Sequence, residues 1–559
     1  MGKSKPFFAI KFLCGIFFLL SCSNENDSDI GKDLQLIVSP NNLELLQGES
    51  GTIFISSQPE GRLEWRIGSK PNWISFSPSS GILDGTIDEI LVTTEVSGLN
   101  VGWNTGSVEI ISSSAGKKLM DVSVFIETPQ ISQMAISKSI LEFDYQEDST
   151  EFYIKNSGGL DFNWTINNQN DYLTVSPDSG FLAIGDSILV TSTVDRTELE
   201  TNIYEYSLNI GNNQQNALEL PVNIKAYKEE KWILDNGQIV DAEYDRNYDK
   251  IIAVSEFPNQ ILNINPVSQG IQSLDLNLPP TSVSISQDGN LAVVGHDGYI
   301  SYINLSSMEL IQMYSVTTDV FDIVLGPNNW AYAFPRVDQH ERIRCIDLST
   351  GNETQNTGNT IYAGTRAKLH PSGSYIYGAD NGLSPSDFEK YDISGGTAHY
   401  LYDSPYHGDF EFSGNIWISE SGDKLFSRAR NVFNASENQT NDMTYSGKLL
   451  GEQGKRISTM DSHAEANVIY TIVDEGLWDW DYKPGGVVKK YTEDFYNFQG
   501  EIELPKFLGT DTNGNFSLFS SHGYFGFFNS AGSQFYVIVK ADEENNSAVR
   551  WGISTITVD

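Results

Sequence analysis

Along most of the chain apolar and polar residues alternate with the two-residue period of half-buried strands, and Gly, Ser, Asn or Pro interrupts the alternation every few residues. From Lys228 onward one pattern repeats: an alternating apolar strand, a turn carrying a small or acidic residue, then a second apolar strand. The run Val283-Ser284-Ile285-Ser286-Gln287-Asp288-Gly289-Asn290-Leu291-Ala292-Val293-Val294 is the clearest copy. Related segments are Ala242 to Ser255, Phe321 to Phe334, Ala367 to Asp380, Asn415 to Arg428, Ile457 to Val473 and Phe527 to Lys540. Their turns fall near Tyr248, Asp288, Asn328, Ser372, Ser421, Glu465 and Gly532, at spacings of 40, 40, 44, 49, 44 and 67 residues. A four-stranded propeller blade takes ~40–45 residues, so the spacing predicts seven blades over 228–559, with an insertion in the widest gap. Ring closure is expected from Lys231 to Leu234 completing the last blade, because an open propeller would expose sheet edges.

Upstream, a longer repeat takes over. Trp65, Trp73, Ser77-Pro78 and Ser80-Gly81 recur as Trp164, Tyr172, Ser176-Pro177 and Ser179-Gly180, each displaced by 99 residues. The register then slips by one, so that Val122, Val124 and Ile126 match Leu220, Val222 and Ile224. Short alternating strands in two units, 34–128 and 129–227, predict tandem immunoglobulin-like β-sandwiches. The pattern W-x7-W-I-x-F-S-P-S-S-G of the first unit resembles the BACON domain, a β-sandwich of Bacteroidetes lipoproteins and enzymes proposed to bind carbohydrate. That resemblance invites a sugar-stacking role for the tryptophans. The alternation around Trp65 and Trp164 instead gives them the place of large core residues, which would leave the sandwiches as spacers. The Pro-x-Ser-Gly is expected to be a turn, with Pro fixing φ and Gly allowing φ above zero. Third strands in the later repeat, such as Tyr299 to Leu305, Ile343 to Gly351 and Phe388 to Ile393, resemble those of WD-type or YVTN-type propeller blades. The expected fold class is therefore all-β: two tandem BACON-like sandwiches followed by a seven-bladed propeller.

The first residues carry an address. Lys3 and Lys5 precede a short apolar stretch, Phe7 to Leu20, too brief to span a ~30 Å hydrocarbon core as a finished helix, and 1–21 is expected to be a signal peptide. Its end, Leu19-Leu20-Ser21-Cys22, resembles the bacterial lipobox, which implies lipidation of Cys22. The tether 22–33 is polar and acidic, similar to the surface-export signals behind the lipid cysteine of Bacteroidetes lipoproteins. These features lead us to expect a lipid anchor in the cell outer membrane, with the folded part facing the exterior. Of three cysteines only Cys345 then remains unmodified, so no intramolecular disulfide is expected. The net charge of −39 repels phosphate backbones and anionic headgroups, which argues against nucleic acid and leaves membrane attachment to the lipid.

Catalytic signatures are sparse. His296, His340, His370, His399, His407, His463 and His522 fall in no H-x-x-H or H-E-x-x-H spacing, and no G-x-S-x-G elbow occurs. Cys345, mid-strand between alternating apolar residues, is expected to be a small buried hydrophobe. Ser286-Gln287-Asp288-Gly289 lacks the tryptophan of a sialidase Asp-box. No metal and no cofactor are expected. One segment of the widest gap, 474–485, sets Trp478, Trp480 and Tyr482 alternately with Asp479 and Asp481. Aromatic faces stack on sugar C–H groups and carboxylates accept sugar hydroxyls, so these five residues form a candidate glycan platform; an edge strand covering the next blade is the plainer alternative. Function divides accordingly. A non-catalytic surface lipoprotein would hold a glycan or protein partner, or scaffold an outer-membrane complex such as one with a TonB-dependent transporter. The alternative is a propeller enzyme of lactonase, dehydrogenase or glycosidase type acting on an extracellular substrate.

Overall fold

The computed structural model describes residues 33–127, 131–214, 217–234, 237–380, 385–451, 454–476, 482–547 and 550–558, and every regular element among them is a β-strand. Two compact units result, one from the sandwiches and one from Ile224–Asp559 with the short segments Phe143–Glu147 and Arg196–Tyr204.

In the first sandwich a four-stranded sheet, in the order Gln35–Ser39, Gly51–Gln58, Asp88–Thr94, Ile74–Ser77, faces a five-stranded one, Asn42–Leu46, Gly116–Ile126, Gly102–Ser112, Arg62–Ile67, Ser80–Asp84. The second repeats this order strand for strand, from Met134–Ile136 to Ser179–Leu182. Alternate residues point inward, as the period requires: Ile53, Ile55, Leu63, Trp65, Ile90, Val92, Val122 and Val124 close the first core. Trp65 and Trp164 are 2 % and 1 % exposed and belong to the cores. One expectation needs correcting. Gly81 and Gly180 do not have left-handed φ. Each is the direct cross-strand partner of a tryptophan, Trp65↔Gly81 and Trp164↔Gly180. A Cβ there would lie 2.9 Å from the indole nitrogen of Trp65 or 3.1 Å from that of Trp164. Glycine is used because the ring lies across its backbone.

Among the described residues the second unit holds five four-stranded antiparallel sheets and one six-stranded sheet that divides into two blades, which gives blades 1 to 7 with strands a to d. Blade 1 is Gln238–Asp245, Lys250–Glu256, Gln260–Asn265 and Gly270–Asp275. Blades 2 and 3 share long strands: Leu291–Asn304 doubles back at Gly298 (φ 72°), bringing Leu305 N within 2.9 Å of Asn290 O. Glu309–Leu325 runs from the outer strand of blade 2 into the inner strand of blade 3. Blades 4, 5 and 6 begin at Arg366–Leu369, Ile416–Ile418 and Arg456–His463. Blade 7 is Ser521–Phe528, Gln534–Ala541 and Trp551–Thr557, completed by Lys231–Leu234, which pairs antiparallel with Trp551–Thr557. The ring thus closes as the sequence suggests, and the insertion of the widest gap is the hairpin Phe507–Thr510 with Phe516–Phe519. Lys231 fastens the closing strand: its ammonium, with no exposed side-chain surface, donates to Lys506 O at 2.6 Å and Tyr227 Oη at 2.9 Å and lies 4.0 Å from the Phe507 ring.

Candidate functional site on the propeller axis

The a strands of successive blades adjoin one another, so their alternate side chains meet at the axis. In blades 1, 3 and 6 the a strand carries a bulge, between Ile239 and Asp241, Val320 and Asp322, and Ile457 and Thr459. A bulge re-aims the side chain that follows it. Here the re-aimed oxygen accepts a backbone N–H of the next blade: Val283 N–H to Asp241 Oδ2 (2.9 Å), Ala367 N–H to Asp322 Oδ2 (2.8 Å) and Gly526 N–H to Thr459 Oγ1 (3.0 Å). A second tier lies two residues further on, where Ile285 N–H donates to Glu243 (3.0 Å), Leu325 N–H to Ser284 Oγ (3.1 Å) and Phe528 N–H to Asp461 (2.8 Å).

Cations cross the axis between these clamps. Lys368 of blade 4 reaches Glu243 of blade 1 at 3.3 Å. Arg246 of blade 1 reaches Asp461 of blade 6 at 2.7 Å and Glu420 of blade 5 at 3.6 Å. Arg366 lies 3.5 Å from Asp322 with its guanidinium 4.3 Å from the Phe321 ring. Burial pushes Asp241 up to about 6, against the pull of Arg366. Glu243, Asp322 and Asp241 hold Lys368 above the usual lysine range although burial opposes its charge. Burial also raises Asp461.

One face carries the b–c loops and the links between blades, and Tyr482 belongs to it. Trp478, Asp479, Trp480 and Asp481 lie outside the described residues, as does Cys22. Tyr482 is described: the residue is 46 % exposed, its hydroxyl meets Ser458 Oγ at 2.8 Å, and its ring stands edge-on to Tyr524 at 6.2 Å and 5.8 Å from the Arg428 guanidinium. Arg428 in turn pairs with Asp474 at 2.6 Å.

A second cluster on this face escaped sequence reasoning. Asp380, Asp387 and Glu389, all buried, gather with Asp403 at the b–c end of blade 4. Burial and mutual repulsion push Asp380 and Asp387 up to about 6 and Glu389 up to about 7. Asp387, Asp403 and His407 each offer one ligand atom within 4.8 Å of the others, so a cation could be held there. Their positions in the sequence, 387, 403 and 407, give no metal-ligand spacing. His370 and Cys345, expected to be structural, lie in turn and core contacts. His370 joins two turns, with Nδ1 near Ser372 Oγ (2.8 Å) and Nε2 near Gly422 O (2.7 Å). Cys345 is fully buried, its thiol pushed up to about 12 by burial.

Comparison with known proteins addresses the sandwiches first. Residues 133–223 match the model of the family described as Viral BACON domain. The second sandwich is a BACON domain. The match falls on the second repeat, although the fuller tryptophan pattern belongs to the first. Among solved structures the chain is similar to the β-propeller domain of Cps50 (Swd1) from Myceliophteria thermophila, at 12% identity and a TM-score of 0.44, covering 58% of this chain and 98% of that one. It is also similar to hydrazine synthase of Kuenenia stuttgartiensis, at 11% identity and a TM-score of 0.42, covering 58% of this chain and 97% of that one. No curated protein matches the chain.

Proposed function

We propose that this chain is a lipid-anchored protein of the bacterial outer-membrane surface whose propeller performs no chemistry and holds a glycan or a protein partner. A BACON domain beside a β-propeller is consistent with a binding or scaffold role. The observation that carries the proposal is the employment of the axial charges. Asp241, Glu243, Asp322 and Asp461 each accept a backbone N–H from the next blade, and Lys368 and Arg246 brace the ring across its axis. Groups fixed in this way make a rigid frame, and rigidity is what a recognition surface needs. The address rests on the lipobox-like Leu19-Leu20-Ser21-Cys22 and the acidic residues behind it.

The test is affinity purification of the intact protein from its own membrane, with mass spectrometry of what accompanies it, against a Cys22→Ala control. A stoichiometric membrane-protein partner, lost with Cys22→Ala, makes it a complex subunit of the kind expected beside a TonB-dependent transporter or another envelope machine. If it is recovered alone, glycan arrays with the intact chain and its Tyr482→Ala variant follow; no binding to any glycan removes the carbohydrate form of the proposal. One observation favours catalysis instead: three carboxylates, Asp241, Glu243 and Asp322, converge at the axis with Asp241 pushed up to about 6. Hydrolysis of a lactone or glycoside panel that is abolished by Asp241→Asn would establish that alternative.

A further inference from the structure

Between blades 2 and 3, on the b–c face, lies a cavity of about 350 Å³. One wall is the link from blade 2 to blade 3, with Val316, Thr318 and Asp319; the other is the b–c loop of blade 3, with Val337, Asp338 and Glu341. The floor includes Arg344, which is 7 % exposed. Its guanidinium is fully engaged, donating from Nε to Thr317 Oγ1 (2.9 Å), from Nη1 to Arg342 O (2.6 Å) and from Nη2 to Glu341 Oε2 (2.7 Å). Thr317 N–H in turn donates to Glu353 at 2.9 Å. These bonds lash the two walls together, so the cavity is formed before anything enters it.

The rim is built differently. Asp319 stands directly across the strand pair from Asp297, an opposition of like charges that costs stability. Arg336 pairs with Asp297. The carboxylates of Asp319 and Asp338 have no hydrogen-bond or ion-pair partner among the described residues. The cavity therefore offers acceptors on its rim, the Thr318 hydroxyl beside them, and the exposed side chain of Val337 as an apolar wall, while Val316 belongs to the core beneath.

We propose that this cavity binds one uncharged sugar residue of a glycan, an inference that rests on the carbohydrate form of the proposed function. A pyranose carries hydroxyl donors around its edge and C–H groups on its faces; Asp319, Asp338 and Glu341 take the first, and Val337 meets the second. The carboxylates of Asp319, Asp338 and Glu341 outnumber the cations, and both guanidiniums are already paired, Arg344 with Glu341 and Arg336 with Asp297, so selectivity against a uronic acid or a sulfated sugar is built in.

The test is titration of the full-length chain, followed by ligand-observed NMR, with the methyl glycosides of glucose, galactose and mannose and with methyl glucuronide. The expected result is millimolar binding of at least one neutral glycoside, weakened about tenfold by Asp319→Asn and by Asp338→Asn and unchanged by Tyr482→Ala, with no binding of the glucuronide. Both aspartates reach solvent, so neither substitution should disturb folding. Neutral glycoside binding that ignores both substitutions overturns the cavity while leaving the glycan reading intact. Absence of binding by every neutral glycoside, together with a blank glycan array, removes both. Equal binding of the glucuronide, or preferential binding of lysine methyl ester lost in Asp319→Asn, makes the cavity a charge site and overturns the proposal.

Discussion

The two sandwiches and the propeller solve the same problem, covering the faces of short twisted sheets, with different materials. In the sandwiches the covering is apolar. Trp65 and Trp164 lie across Gly81 and Gly180, and the residues around them are Ile, Leu and Val. In the propeller, charge is taken into the interfaces between blades. Lys390 of blade 4 pairs at 2.8 Å with Asp442 of blade 5, their side chains 1% and 0% exposed, and Asp442 also accepts the hydroxyls of Tyr377 (2.9 Å) and Tyr402 (3.0 Å). The difference follows from repetition. A sandwich has two faces that fit in one register, whereas blades with similar apolar faces could slip or exchange; a directional bond between named residues of neighbouring blades fixes which packs on which.

The largest expected effect breaks the polar side of that comparison. Asp442→Ala strands Lys390 and two tyrosine hydroxyls in a buried interface and should destabilise the propeller by ~3–5 kcal/mol. Adding Lys390→Met should restore most of that loss, because the uncompensated charge, rather than the missing pair, is what costs. Hydrogen exchange of blade 4 and 5 peptides reads this directly. If the double variant is no more stable than Asp442→Ala alone, the pair contributes through attraction and not through registration.

The apolar side breaks next. Trp65→Ala and Trp164→Ala should each cost ~3–5 kcal/mol, confined to peptides of the affected sandwich. Trp65→Ala should be the costlier, since Trp65 also donates from Nε1 to Asp88 at 2.7 Å whereas Trp164 Nε1 is buried without a partner among the described residues. A smaller effect, ~1–3 kcal/mol, is expected for Gly81→Ala and Gly180→Ala, where the new methyl meets the indole. In the double variant Trp164→Ala, Gly180→Ala the methyl has room, since the indole of Trp164 supplies its nearest contacts, so the glycine penalty should vanish; additive losses would show that the glycine serves some other need.

These contrasts also explain what the sequence could and could not disclose. Blade number was legible because every a–b turn repeats a small or acidic residue between two apolar strands, and ring closure was legible because Lys231 to Leu234 is an apolar strand without a partner nearby. The sandwich repeat was equally plain, yet the purpose of its glycine was misjudged: a residue that faces a neighbour across a sheet and one that turns the chain look alike in one dimension. The axial clamps and braces left a trace in Asp241-x-Glu243, Ser284, Arg366-x-Lys368 and Thr459-x-Asp461, polar at positions where the apolar alternation should continue. What pointed them at the next blade, a bulge after Ile239, Val320 or Ile457, depends on pairing and not on residue type. The blade 4 carboxylates and the cavity beside Arg344 are assembled from loops that meet only in the fold. The aromatic platform was the reverse case, conspicuous in the sequence, and of its five candidate residues the structure describes Tyr482 alone.

The smallest expected effect sharpens the comparison by pH. Asp241 is pushed up to about 6 and Glu389 up to about 7, chiefly by burial, with Asp322, Arg366, Lys368 and Glu243 around the first and Asp380, Asp387, Asp403 and Tyr391 around the second. Both stand above their unfolded values of ~4, so between pH ~4 and 7 these two groups bind more protons in the folded propeller than in the unfolded chain. The stability they contribute is therefore greatest below the unfolded pKa and is lost as pH rises through 6 and 7. In the sandwiches Glu109, exposed beside Lys117, shifts the other way and contributes no such loss. Calorimetry from pH 4.5 to 7.5 should show the propeller transition falling by a few degrees while the sandwich transitions hold steady. Asp241→Asn with Glu389→Gln, which keep an acceptor but remove the titration, should flatten the propeller profile. A propeller transition that rises over this interval would mean that the carboxylates are charged and compensated in the native fold, as they would be around a bound cation at Asp387, Asp403 and His407.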